Sequence, residues 1–136
     1  VTLALDTNVF IDLIRGRKPV IRQRRDRVIL AGEVLVTSLI VYHELQFGVA
    51  LSRDPVAEGF NVAEVLDEVV VEPLNETDVL AAAGIRARLR PHGGPIGPYD
   101  VLIAGQALAR GWTLVTSNVA EFSRVEGLDL QDWSQP

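Results

Sequence analysis

Cysteine and methionine are both absent from this chain of 136 residues. Without thiols there are no disulfides, no thiolate metal sites and no cysteine nucleophile, and the sequence carries no mark of a redox compartment. Without methionine, Val1 is not expected to be the translated start. Long apolar runs are missing too. No stretch approaches the roughly 20 residues of a membrane span, and no basic segment followed by an apolar region suggests a secretory signal. These absences lead to the expectation of a cytoplasmic protein that does not contact the membrane. Histidine occurs only as His43 and His92, and lysine only as Lys18.

What is present suits one compact domain over residues 1–136, since an apolar content of 48% fills a single core. The net charge of −5 is unevenly spread. Arg15 to Arg27 (RGRKPVIRQRRDR) holds seven basic residues and one acid, so this segment carries +6 and the remainder −11. A basic patch on an acidic body is either a solvated helix face or a phosphate-facing surface beside an acidic site.

Apolar runs alternate with helical segments, the pattern of a parallel sheet covered by helices. Strands are expected at Thr2 to Leu5, Val34 to Ser38, Val69 to Pro73 and Trp112 to Ser117, with a fifth at an edge in LDLQDW. Helices are expected from Asn8 to Arg15, Pro19 to Ala31, Leu39 to Leu51, Pro55 to Val69, Asn75 to Arg90 and Tyr99 to Gly111. The loop PHGGPIGP separates the last two. With right-handed crossovers the outcome is an α/β fold, a three-layer α/β/α sandwich around a mainly parallel sheet of four or five strands. Ligands in such sheets bind beyond the carboxyl ends of the strands. There the chain places Asp6-Thr7-Asn8, Thr37-Ser38 and Thr116-Ser117-Asn118, all polar.

Taken singly, the acids near these ends have ordinary explanations. Asp6 and Asp100 are each placed to cap a helix, and Glu44, with Gly48 one turn on, reads as an exposed helix residue with room around it. Together they are harder to dismiss. Acids after the first strand, after the second and before the fourth converge on one end of the sheet, where their repulsion forces a proton onto at least one of them unless a cation intervenes. Magnesium or manganese suits such an oxygen-rich set. Zinc is disfavoured by the missing cysteines and the poorly placed His43 and His92. Such a cluster suits phosphodiester hydrolysis.

The segments LALDTNVFIDL, SLIVYHELQFG, GPYDVLIAGQALARG and LVTSNVAEFSRVEGLDLQDW, in this order and at these spacings, resemble the PIN-domain family. Within it they are most similar to the VapC-like toxins of bacterial and archaeal toxin–antitoxin pairs. The resemblance implies an Mg2+- or Mn2+-dependent endoribonuclease acting on RNA, usually a homodimer, held inactive by a cognate antitoxin in a larger toxin–antitoxin assembly. It matches Asp6, Glu44 and Asp100 to the acidic triad, with Asp6 and Asp100 as the most direct metal ligands. Thr7, Asn8 and Thr116 match supporting polar positions. Many PIN domains have an aspartate where this chain has Asn118, and Glu121 is the candidate to supply the missing charge.

On this reading RNA phosphates are guided by Arg15, Arg17, Lys18, Arg22, Arg24 and Arg25. No aromatic pairs interleave with these arginines, so no base-stacking platform is expected. A haloacid-dehalogenase-type phosphatase would need a second acid where Asn8 stands and a lysine late in the chain. Dinucleotide and P-loop sites would need a glycine-rich turn after the first strand. The remaining alternative is a degenerate PIN-like domain that binds RNA or a protein partner without cutting, a reading favoured by Asn118.

Overall fold

The computed structural model describes residues 1–135. Its sheet has five strands, β1 (Thr2–Leu5), β2 (Val34–Ser38), β3 (Val70–Glu72), β4 (Thr113–Val115) and β5 (Asp129–Gln131), in the order β3-β2-β1-β4-β5. Every pairing is parallel. The helices are α1 (Thr7–Arg15), α2 (Pro19–Leu30), α3 (Leu39–Leu51), α4 (Pro55–Leu66), α5 (Glu76–Leu89), α6 (Pro98–Arg110) and the short α7 (Val119–Phe122). The three-layer expectation holds, and the segment LDLQDW does supply the edge strand. The limits of β1, β2 and α3 are as expected, α1 and α6 begin one residue earlier, α4 ends three residues earlier, β3 and β4 are shorter, and α7 was not expected at all. A four-residue helix has no periodicity to read.

From β1 the chain steps to β2 and β3 on one side, then returns to β4 and β5 on the other. With right-handed crossovers this reversal puts α1 to α4 over one face and α5 to α7 over the other. The reversal falls between β1 and β4, so the crevice of this sheet opens where Leu5 and Val115 end.

The core residues follow the strand and helix patterns. Leu3, Leu5, Leu35, Leu114 and Val115 are buried in the sheet, and Val9, Phe10 and Leu13 bring α1 down onto it. Helix α6 is covered on most sides, from Val101 to Ala107. It packs on α5 through Gly105, where a Cβ would stand 2.6 Å from both the Cβ and the backbone nitrogen of Ala82. Only a residue without a side chain permits so close a crossing.

A polar knot that pattern reading did not reveal fixes the far end of this helix pair. Asn75 and Asp78 form a reciprocal capping box at the start of α5. The Asp78 carboxylate also takes two hydrogen bonds from Arg110, at 2.7 and 3.2 Å. Arg110 reaches Glu72 and the Pro73 carbonyl as well, and lies 5.1 Å from the centre of the Trp112 ring. Burial alone would raise the Asp78 pKa, but the Arg110 bonds and the Asn75 N–H hold it below its usual value. Thus β3, α5 and α6 are joined at one guanidinium, beside the residue that leads into β4.

Gly105→Ala should force α5 and α6 apart and cost about 1–3 kcal/mol, the usual penalty for overpacking a tight contact. Urea denaturation should show a lower midpoint with an unchanged slope. A midpoint equal to that of the unaltered chain would mean that the helices are not held at this spacing.

Candidate active site

Asp6 is a helix cap and a site residue at once. One carboxylate oxygen accepts the Thr7 N–H at 2.8 Å, capping α1, while the other accepts from Asn8 Nδ2 at 3.2 Å and Thr116 Oγ1 at 2.8 Å. Its backbone N–H bonds to Val115 O, so β4 holds this residue directly. An ionised carboxylate has about four lone-pair positions. Three are used, leaving one for a ligand. Burial raises the pKa of Asp6; the Thr116 and Thr7 hydrogen bonds oppose this, and the charge of Glu44 adds to it.

The supporting residues form a continuous net. Asn8 also donates to Thr116 Oγ1 and accepts from the Ser117 N–H, and the Asn118 N–H donates to Thr116 Oγ1. Thr7 Oγ1 donates to Glu44 Oε1 at 2.9 Å, which holds the α3 carboxylate toward Asp6; its second oxygen has no hydrogen-bond partner among the described residues. Thr37 Oγ1 bonds Leu5 O, and Ser38 caps α3 through Ile40 N. The helix that carries Glu44 is therefore anchored next to the strand that carries Asp6.

Asp100 is not the cap expected from its position. The N-cap of α6 is Gly97, and Asp100 stands in the first turn with its carboxyl facing the other acids. Burial, followed by the charges of Asp6 and Glu121 and then Glu44, pushes its pKa up to about 7. Glu121 goes the other way: the Gly97 N–H, 2.8 Å from Oε1, holds it below its usual value against the effect of burial, helped by Asn118. The two neighbouring carboxyls are thus pushed apart, Asp100 up and Glu121 down, so Asp100 is the one that takes up a proton first. Among the described residues, no basic side chain makes a salt bridge to Asp6, Glu44, Asp100 or Glu121.

Asn118 and Glu121, the two candidates for a fourth position, are bonded to each other. Asn118 Nδ2 donates to Glu121 Oε2 at 3.0 Å, so both oxygens of Glu121 serve the loop and α7. The role of Gly97 escaped the sequence because it is a backbone N–H, which has no residue signature. Gly48 agrees with the expectation of room beside Glu44: a Cβ there would meet nothing within 4 Å, and a cavity of about 420 Å3 opens between Glu44, Gly48, Ile11 and Arg15. His43 packs edge-on against Tyr99, and His92 is exposed in the loop after α5.

The basic residues are more scattered than the acids. Arg15 shares the cavity with Glu44. Helix α1 carries the chain roughly 13 Å from the crevice before α2 begins, and the α2 side chains are largely engaged. Arg22 donates to Leu13 O, Arg24 to Gln135 O, Arg25 pairs with Asp26 and Lys18 with Asp12. Arg17 is exposed. Of this set, only Arg15 is brought to the acids.

The donor chemistry suits a hard divalent cation. All the side-chain donor atoms are oxygens, none of the four acids has a salt-bridge partner among the described residues, and burial together with the neighbouring charges raises the pKa of Asp100 to about 7. Among the described residues no three acids or histidines already stand at ligand spacing. That arrangement fits magnesium, which is usually held by one or two carboxylates and several waters, better than a cage-bound ion.

A five-stranded parallel sheet with this carboxylate cluster at its reversal point defines the class. The PIN domain description matches residues 3–128, and the chain belongs to that family. Its relatives include the tRNA(fMet)-specific endonuclease VapC of Salmonella typhimurium, 38% identical with 95% of this chain and 96% of the relative covered. Among solved structures, VapBC-1 from nontypeable Haemophilus influenzae superimposes with a TM-score of 0.89 at 33% identity, covering 99% of this chain and 100% of that one. VapBC2 from Rickettsia felis bound to a promoter DNA fragment gives 0.91 at 26% identity, covering 98% and 99%.

Between the unfolded value of 3.8 and about 7, the folded chain holds a proton on Asp100 that the unfolded chain has released. Stability of the metal-free protein should therefore fall as pH rises through this window. Asp100→Asn should flatten that dependence and raise the melting temperature at pH above 7, by roughly 4 °C per kcal/mol recovered. Thermal melts of both proteins across the pH range check this, and a variant that melts lower at every pH would make Asp100 a structural group.

Proposed function

We propose that this chain is a VapC-type toxin of a type II toxin–antitoxin pair, an endoribonuclease that cleaves RNA at a divalent-cation site built from Asp6, Asp100 and Glu44. The observation that carries the metal reading is the gathering of Asp6, Glu44 and Glu121 around Asp100, whose pKa burial and then these charges push up to about 7, with no salt bridge to any of the four among the described residues. Asp6 and Asp100 would hold Mg2+ or Mn2+, with Glu44 close by. When bound, the cation acidifies water and offsets negative charge on the attacking and leaving oxygens of the phosphate.

The chain's own residues do the positioning. Asn8 and Thr116 lock the Asp6 carboxylate in one orientation, and Thr7 fixes Glu44 so that its free oxygen can accept a proton from the attacking water. The water oxygen bonds to phosphorus in line with the leaving oxygen, which departs and takes up a proton. Arg15, beside Glu44, faces the entering phosphate. Glu121 and Asn118 hold the loop at Gly97 and so set where α6 begins.

The relatives crystallised as VapBC assemblies also give this chain its partner, a cognate antitoxin. Phe47, Leu51, Val56 and Phe60 stay exposed on α3 and α4 beside the cavity, a patch that a protein partner would cover. A homodimer belongs to the same reading. The amide of Asn118 favours a binding-only domain, and one assay separates the two. Purified chain freed of antitoxin should cleave RNA from a panel including initiator tRNA with Mg2+ or Mn2+ and stop in EDTA. Asp6→Asn should lose at least roughly 100-fold in rate, more than outer-sphere changes usually cost. Cleavage that survives EDTA or Asp6→Asn would refute the metal site, and RNA binding without cleavage would favour the binding domain.

A further inference from the structure

A second basic surface lies on the opposite face of the sheet from α2, and nothing in the catalytic reading uses it. The last turns of α5 expose Arg86, Arg88 and Arg90, followed by His92, and Arg124 stands just beyond α7. Among the described residues none of these arginines makes a salt bridge. In α2, by contrast, Arg25 pairs with Asp26, and Lys18 at its N-cap pairs with Asp12. A guanidinium without a carboxylate partner can grip a phosphate with two N–H groups at once; Arg124 spends one N–H on Gly94 O.

These side chains surround a cavity of about 250 Å3 with Arg88, His92 and Arg124 on its walls, Ile85 and Val125 inside, and Glu126 as the one acid. Arg86 and Arg90 border a separate depression with Pro95. The cavity is below the roughly 300 Å3 at which pockets for whole small ligands begin. It has room for a part of a longer chain, with a charged rim for a phosphate and apolar side chains for a ribose or base face.

Its position ties it to the acidic crevice. Glu121 and Arg124 are three residues apart, and Arg124 Nη2 donates to Gly94 O in the loop whose Gly97 N–H holds Glu121. Arg124 is near enough to help lower the Glu121 pKa. A strand leaving the crevice past α7 would meet this cavity next. The exposed apolar patch suited to a protein lies on α3 and α4, over the other face of the sheet.

We infer that the cavity between the end of α5 and α7 binds a nucleotide of the RNA strand flanking the cleaved bond, with Arg88 and Arg124 on its phosphate. This deepens the nuclease reading and rests on it for the identity of the strand. The site anchors the RNA and takes no part in bond breaking. It supplies affinity on the side of the crevice that Arg15 does not reach.

The test is binding of 5′-fluorescein-labelled initiator tRNA, followed by anisotropy between about 50 and 200 mM salt, in an Asp6→Asn background. Adding Arg88→Gln and Arg124→Gln should weaken binding about tenfold and reduce the slope of log K against log salt by about 1. Arg88→Gln alone should give part of both effects; it removes no ion pair, so it answers for the pair if loss of the Gly94 bond unsettles the loop. In the active chain Arg88→Gln, which leaves the Arg124 bond to the loop in place, should raise KM more than it changes kcat. Unchanged affinity and slope in a folded variant would overturn the inference. So would intact RNA binding with loss of antitoxin binding, which would assign the cavity to a protein. Because binding is read without cleavage, an unaltered chain that cuts no RNA would remove the nuclease reading and leave the salt-slope result standing for the cavity.

Discussion

Mutual repulsion of carboxylates at the carboxyl end of β1 and β4 is the constraint around which this molecule is arranged. Like charges brought together in a partly buried crevice destabilise the fold unless something compensates. Here the compensation is divided. Asp6 is stabilised by three hydrogen bonds, Glu121 by a backbone N–H and an amide, and Glu44 by a threonine hydroxyl. Asp100 receives none of these and retains its proton up to about pH 7. The crevice therefore keeps one unmet demand for positive charge.

Holding that arrangement requires rigid elements on both faces. Asp6 is fixed by the β1–β4 pairing, and Glu44 follows from the caps that join β2 to α3. Asp100 depends on where α6 begins, which is set at one end by Gly97 and along its length by the close contact of Gly105 with Ala82. The Arg110 knot secures the other end of the same helix. A group far from the crevice thus helps to place an acid within it. Charge is segregated to match: the acids occupy the mouth of the sheet, and the arginines with free guanidiniums flank it at Arg15 and at the end of α5.

The layers, the parallel sheet and the meeting of Asp6, Glu44 and Asp100 at one end of it were legible in the sequence, and the strand order was not, because only the former leave a periodic or positional trace. Apolar runs marked β1, β2 and β4, and Asp6, Glu44 and Asp100 stood at strand ends or on the helices next to them. The arrangement of the fourth acid was not legible. Whether Glu121 would replace Asn118 or bind it depends on a side-chain amide and on the Gly97 N–H, and backbone donors have no sequence signature. Nor could a charge count distinguish engaged arginines from free ones. The run from Arg15 to Arg27 looked like the phosphate surface because it is dense in sequence, yet several of its members end on carbonyls or acids. Arg86, Arg88, Arg90 and Arg124 are dispersed in sequence and adjacent in space.

The central claim is that the unmet charge at Asp100 is the demand a divalent cation satisfies. Carboxyl NMR of selectively labelled aspartate, titrated with and without Mg2+, reads this directly. Without metal, Asp100 should titrate near pH 7, as its burial and the charges of Asp6, Glu121 and Glu44 imply. With saturating Mg2+ its pKa should fall by roughly two units, the effect of an opposite charge at contact distance. An Asp100 that titrates like an ordinary aspartate without metal, or whose high pKa Mg2+ leaves unmoved, would contradict the account.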